Sequence, residues 1–247
     1  MLPYGFSPLP HAISVWIIIW LFLKSRQADT NRAFNSVIVS ITSTLVVFMV
    51  LATGLGLYDV YYQYHARFLP IVIVSMGFTA IVLNFIILAI VRPEGGPLDK
   101  LKRFIQAFIE NTSMVSLMRI HGLRILAVGT IYKYTIGELP GHFVLPVGVP
   151  DFLFGISALF LPGKIAKASK TIIITWNALG ILIFLSALFF MQLSIPGPLL
   201  TFTGEPTTRE VISFPMSMVP SFVAPLFIAL HTITIIKVIR VREFRKG

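Results

Sequence analysis

Residues 171–194, TIIITWNALGILIFLSALFFMQLS, contain no charged side chain. In helical form a run of that length extends roughly 36 Å, more than the ~30 Å hydrocarbon layer of a bilayer. It does not alternate with period two, as a half-buried strand would. Lys164, Lys167 and Lys170 precede it, and a stretch rich in Pro, Gly and Thr follows it. Lysine and arginine gather in cytoplasmic loops, so this block is expected to leave the cytoplasm at its N-terminal end and finish outside.

Six other blocks share its character: 8–24, 34–57, 68–91, 116–135, 142–161 and 214–237. The chain therefore reads as all-α, a single integral membrane domain over 1–247 and a polytopic bundle of about seven transmembrane helices. Composition agrees, with 56% hydrophobic and only 12% charged residues. A soluble domain of this size must show water a more polar skin.

The orientation expected is N-out, C-in. Of the 20 Lys and Arg, 15 fall on one side: Lys24 to Arg32, Arg92 to Arg103, Lys164 to Lys170 and Lys237 to Lys246. Arg67, Arg209 and borderline Lys133 lie on the other side, and Arg119 and Arg124 lie within the fourth block. The first block has no basic residue before it, whereas Lys24 and Arg26 follow it. That pattern fits an N-out first span and not a cleavable signal peptide. The +10 net charge is thereby assigned to topology in a plasma (cell inner) membrane. The partners expected are the lipid bilayer and other membrane chains or copies of this one, with no nucleic acid. All seven tyrosines, Tyr4, Tyr58, Tyr61, Tyr62, Tyr64, Tyr132 and Tyr134, fall at the outer face, where a ring with a wet hydroxyl is favoured.

Between the third and fourth blocks, Leu98, Leu101, Phe104, Ile105 and Phe108 recur at helical spacing. Residues 98–111 are predicted to form an amphipathic helix on the cytoplasmic surface, its lysines near anionic headgroups. The outer segment from Ser194 to Phe214 is long enough to cover a vestibule. Ser36, Ser40, Ser43 and Thr44 form a stripe of small polar residues on the second block, which reads as a helix-packing surface.

The chain contains no cysteine, which removes disulfides and thiolate chemistry. It also lacks a P-loop, a zinc-protease helix motif and a nucleophile elbow, so no motif supports an enzyme and the question stays open, leaning against one. Seven spans with an outside N-terminus resemble the rhodopsin and receptor topology. However, the last block has no central lysine for a retinal Schiff base, since Lys237 stands at its cytoplasmic end.

Chemistry concentrates at intramembrane charge, which costs about 2.5–3.5 kcal/mol per residue to insert. Arg124 lies about 12 Å above the inner edge of its block at 1.5 Å per residue, and Asp151 a similar distance below the outer edge of the next. The two blocks run in opposite directions, so both residues fall near mid-membrane and are expected to pair. Gly137 to Asp151 includes Pro140, Pro146 and Pro150 with Gly137, Gly141 and Gly148, a stretch that cannot be regular helix throughout. Irregular backbone at that depth survives only in protein or beside a water-filled cavity. The expected substrate- or ion-binding set is Arg124, Asp151, His121, His231, Asn84, Asn177 and Glu138. Prolines 215, 220 and 225 in the last block suggest a bend beside it.

Three functions follow from these residues. The first is movement or binding of a small polar or ionic solute at the Arg–Asp site, with Asp151 coupling it to protons. The second is haem b binding for electron transfer, with His121, His231, His65 and His142 as candidate ligands at two levels. The third is a non-catalytic subunit of a larger membrane complex.

Overall fold

The structure, a computed structural model, describes residues 9–29, 32–63, 74–75, 77–83 and 99–243. Among these every regular element is helical. Six helices are long and apolar enough to cross a membrane: α1 (Leu9–Ala28), α2 (Asn35–Leu57), α4 (Met114–Thr135), α5 (Gly141–Phe160), α6 (Lys170–Gln192) and α7 (Val219–Arg240). A shorter helix, α3 (Asp99–Asn111), precedes α4. The expected third span, 68–91, lies outside the described residues except for 74–75 and 77–83, which are helical. Asn84 and His65 also lie outside them.

The helix ends follow local rules. Ser113 caps α4 by accepting from the Ser116 N–H at 3.1 Å, and Ser169 caps α6 by accepting from Ile172 N–H at 3.4 Å. These side chains satisfy amides that have no partner in the first turn. At the far end of α4, Gly137 adopts φ +76°. The Glu138 N–H reaches the Lys133 carbonyl at 2.8 Å, and the Gly137 N–H reaches that of Tyr134 at 3.1 Å. This Schellman turn needs a residue in the left-handed region, which glycine occupies without penalty. It sends the chain back into α5 within a few residues.

Two ends of the bundle can be distinguished. At the basic end, Asn111 Nδ2 donates to the Ala28 carbonyl, and Lys237 Nζ donates to the carbonyls of Ile109 and Glu110 at the C-terminus of α3. A cation there also complements the helix dipole. Lys100 Nζ reaches Ser36 Oγ at 2.9 Å. At the opposite, tyrosine end, Arg209 pairs with Asp59 at 3.3 Å and lies over the Tyr62 ring. Lys133 bridges Glu138 and Glu210 there at 2.6 and 3.3 Å. The Ser194–Phe214 segment is tied to the end of α6 by Thr208, whose Oγ1 donates to the Met191 carbonyl at 2.5 Å.

The centre belongs to α7, of which 78% is buried, against 17% of α2. Phe222 and Phe227 of α7 are fully enclosed, and the rings of Phe48 of α2, Phe78 and Phe222 lie mutually against one another, with centroids 4.0–6.2 Å apart. Two expectations change here. The α3 helix turns Phe104, Phe108 and Ile109 into the bundle and even buries Lys102, so its apolar face covers the bases of α1, α2 and α7. The stripe Ser36, Ser40, Ser43 and Thr44 is exposed, and Thr44 Oγ1 donates to the Ser40 carbonyl of its own helix. Among the described residues its only hydrogen bond to another helix is that of Ser36 to Lys100 of α3.

Three helices are wound irregularly. Residues Ile120–Ala127 of α4 form a tight 3₁₀ stretch, whereas Val144–Gly148 of α5 and Val219–Val223 of α7 form wide π turns. The π turns contain Pro146 and Pro220, whose missing N–H leaves the regular ladder incomplete. The proline-rich stretch before Asp151 is thus a widened helix from Gly141 onward, preceded by extended Pro140. The expected interruption is milder than a broken helix.

Candidate functional site

The irregular segments converge on Arg124. A β-carbon on Gly155 of α5 would lie 2.2 Å from the amide nitrogen of Ile125 and 2.6 Å from the carbonyl carbon of Arg124. Only glycine permits so close an approach of α5 to the 3₁₀ segment of α4. Arg124 is thereby held between α5, α6 and α7.

Its Nε donates to Asp151 Oδ1 at 2.5 Å. Its Nη1 lies 3.2 Å from the Gly180 carbonyl and 3.2 Å from His231 Nε2. A guanidinium only donates, so His231 Nε2 must accept and its proton must sit on Nδ1. That assignment fits the remaining bond, since His231 Nδ1 lies 2.9 Å from Asn177 Oδ1. The Asn177 amide nitrogen donates in turn to the Ile173 carbonyl at 2.8 Å. Donation thus runs outward from Arg124, to the Asp151 carboxylate on one side and through His231 and Asn177 to the backbone of α6 on the other. The arginine plane is sandwiched between Phe154 and Phe184, 4.2 and 4.1 Å from their centroids. Ring faces compensate part of the hydration such a cation loses.

His121 stacks on His231, with centroids 3.7 Å apart and planes 12° from parallel. It is fully buried, and neither ring nitrogen has a partner; Arg124 Nη2 is also unpartnered. Gly180 makes this packing possible, because a β-carbon there would lie 2.3 Å from His231 Nε2.

The two charges of the pair differ in access. The Arg124 side chain is 1% exposed and that of Asp151 is 19%. Asp151 borders two small cavities of about 70 and 80 Å³, both also lined by Ala127, Thr130, Phe184, Met216 and Val219. Each has room for a few water molecules. Arg124 lines the second of them as well, but the carboxylate is the more exposed member of the pair.

Of the residues expected to form the site, Arg124, Asp151, His121, His231 and Asn177 lie together. Glu138 does not join them, because it pairs with Lys133 at the tyrosine end. His142 is at that end too, stacked on Phe202 at 4.1 Å. A porphyrin between His121 and His231 would require the stacked rings to part. Among the described residues no group of three or more His, Asp or Glu is placed to hold a metal ion. Sequence reasoning did not find Phe154, Phe184 or Gly180. Phe154 follows Asp151 by one helical turn, a usable signal, while the other two depend on how α6 is rotated. Outside the membrane-length helices, in the short helix Val60–Gln63, burial pushes the Tyr61 hydroxyl above its ordinary range.

Fold and site together define a helical bundle with membrane-length apolar helices around a buried, hydrogen-bonded Arg–Asp pair. Residues 101–239 match DUF8737, a domain of unknown function, and the chain belongs to that family. The match takes in all of the clustered side chains and leaves α1 and α2 outside. No curated protein and no solved structure matches the chain.

Proposed function

We propose that this is a seven-span protein of the plasma (cell inner) membrane, N-out and C-in, that moves a small polar or ionic solute past Asp151 with proton coupling. The six membrane-length helices and the helical pieces within 68–91 support seven crossings. The convergence of Lys100, Lys237 and the end of α1 at one end supports the orientation, because those residues belong to the lysine- and arginine-rich side.

The observation that carries the reading is a hydrogen-bonded charge pair deep between helices, bordering small cavities, in which the carboxylate is 19% exposed and the guanidinium 1%. A pair that served stability alone would do as well as two apolar residues of the same volume. An accessible carboxylate adds something apolar residues cannot, a proton-binding oxygen at the centre of the bundle. Protonation of Asp151 would remove the charge that holds Arg124 Nε. The guanidinium would then be free to turn its unpartnered Nη2 toward the cavity and meet an anion or a polar solute. Deprotonation would restore the pair and release the solute.

The test measures proton flux driven by gradients of a panel of small anions and polar solutes, because a coupled carrier passes protons only with its solute. Purified protein is reconstituted into liposomes with an entrapped pH-sensitive dye and an imposed gradient of each solute in turn. With at least one solute the wild type is expected to pass protons faster than empty liposomes, and Asp151→Asn to fall to the empty-liposome rate. Equal rates for wild type and variant across the panel would end the proton-coupled reading.

A further inference from the structure

Arg119 is the intramembrane charge that the Arg124 site leaves unused. It lies five residues after the first residue of α4, on an exposed face, and among the described residues it has no ion pair or hydrogen bond. Beside it a groove of about 520 Å³ runs between α1, α4 and α5, lined by Trp16, Trp20, Leu123, Leu126 and Leu159 along its length and by Ser116 at the basic mouth. The volume falls in the range of about 300–1,000 Å³ typical of ligand clefts.

We propose that this groove seats one anionic phospholipid, its phosphodiester on Arg119 and an acyl chain along the groove. Helical side chains lean toward the N-terminus of their helix. For Arg119 that direction is the basic end, so a position roughly 8 Å inside the helix at 1.5 Å per residue still delivers the guanidinium to headgroup depth. An unpaired cation facing hydrocarbon is costly, and a lipid phosphate removes that cost. Trp16 is 55% exposed and lies about 18 Å from the basic end of α1 at 1.5 Å per residue, at acyl-chain depth. A single cation above a long apolar cleft matches an amphiphile with one negative head, whereas an acidic protein segment would find no second charge below it.

The inference rests on the membrane placement proposed above and not on transport. Its test uses tryptophan fluorescence, because Trp16 and Trp20 line the groove while Trp176, the third of the three tryptophans, is buried in the core. Protein in phosphatidylcholine bilayers is titrated with phosphatidylglycerol or phosphatidylcholine carrying brominated acyl chains, which quench on contact. Wild type is expected to favour the anionic lipid about fivefold, the effect of one cation–headgroup attraction. Arg119→Gln should remove the preference, and so should Ser116→Phe, which fills the mouth and keeps the charge; the second decides if the first does not fold. Lys164→Gln, at the basic end but off the groove, should keep it. Equal quenching by both lipids in wild type overturns the lipid site, as does a preference that survives Arg119→Gln and Ser116→Phe. Absence of quenching by either lipid would instead overturn the membrane placement, and this inference with it.

Discussion

Arg124 and Lys133 stand on one helix, and each meets carboxylates, yet their surroundings have little in common. Arg124 is enclosed between two phenylalanine rings, and its partner Asp151 is 19% exposed. Lys133 is nearly as buried, but its partners Glu138 and Glu210 are 45% and 44% exposed. Water therefore screens the second cluster and barely reaches the first. In a low-dielectric setting each charge depends on the other, because removing one leaves its partner without solvation. At the tyrosine end water takes the place of a lost partner. Similar ion pairs thus serve as an obligatory couple in one region and as an adjustable surface contact in the other.

The largest expected effect comes from separating the obligatory couple. Asp151→Ala should destabilise the protein by about 3–5 kcal/mol, seen as a large drop in unfolding temperature in detergent. Replacing both members, Arg124→Met with Asp151→Leu, should recover most of that stability. If the double variant is as unstable as the single one, the pair is not an electrostatic unit. A smaller effect is expected from Gly180→Ala. Its added methyl meets His231 Nε2 and Phe154 Cζ, 2.3 and 2.8 Å from the new carbon, and overpacking costs about 1–3 kcal/mol. The same methyl on Gly129, which has nothing within 4 Å, is the control, and equal unfolding temperatures for the two variants would show that His231 is not tightly seated. The smallest change should follow Lys133→Met, within about 1 kcal/mol because its partners are solvated. Any such change should shrink as salt is raised. A loss as large as that of Asp151→Ala would mean the two regions are not different in kind.

Much of the site could be read along the chain. Counting residues from the ends of two oppositely directed blocks placed Arg124 and Asp151 at one level, and their side chains meet. His121 lies one turn before Arg124, and His231 at a matching depth, and their rings stack. Depth is legible because helix rise is constant. Rotation about the helix axis is not, so the aromatic faces over Arg124 and the carbonyl of Gly180 beneath it went unseen. The 3₁₀ winding of α4 went unseen for a related reason: it accompanies a backbone approach at Gly155 of another helix, which no local pattern in α4 encodes. In sequence, Glu138 is counted with the site residues, although its place in the chain puts it near the outer end of the bundle. The Schellman turn at Gly137 keeps it at the end of the bundle.

By itself the sequence determined that the chain forms long apolar helices, where their ends lie, and which end gathers the basic residues. Those properties follow from composition and from local hydrogen bonding within each helix. Tertiary structure alone decided which helix is central, which faces of α3 and α2 meet the bundle, and how Asp151, Arg124, His231 and Asn177 join into one hydrogen-bonded network. Such outcomes depend on close packing between segments far apart in the chain, where a single glycine sets how near two backbones can come.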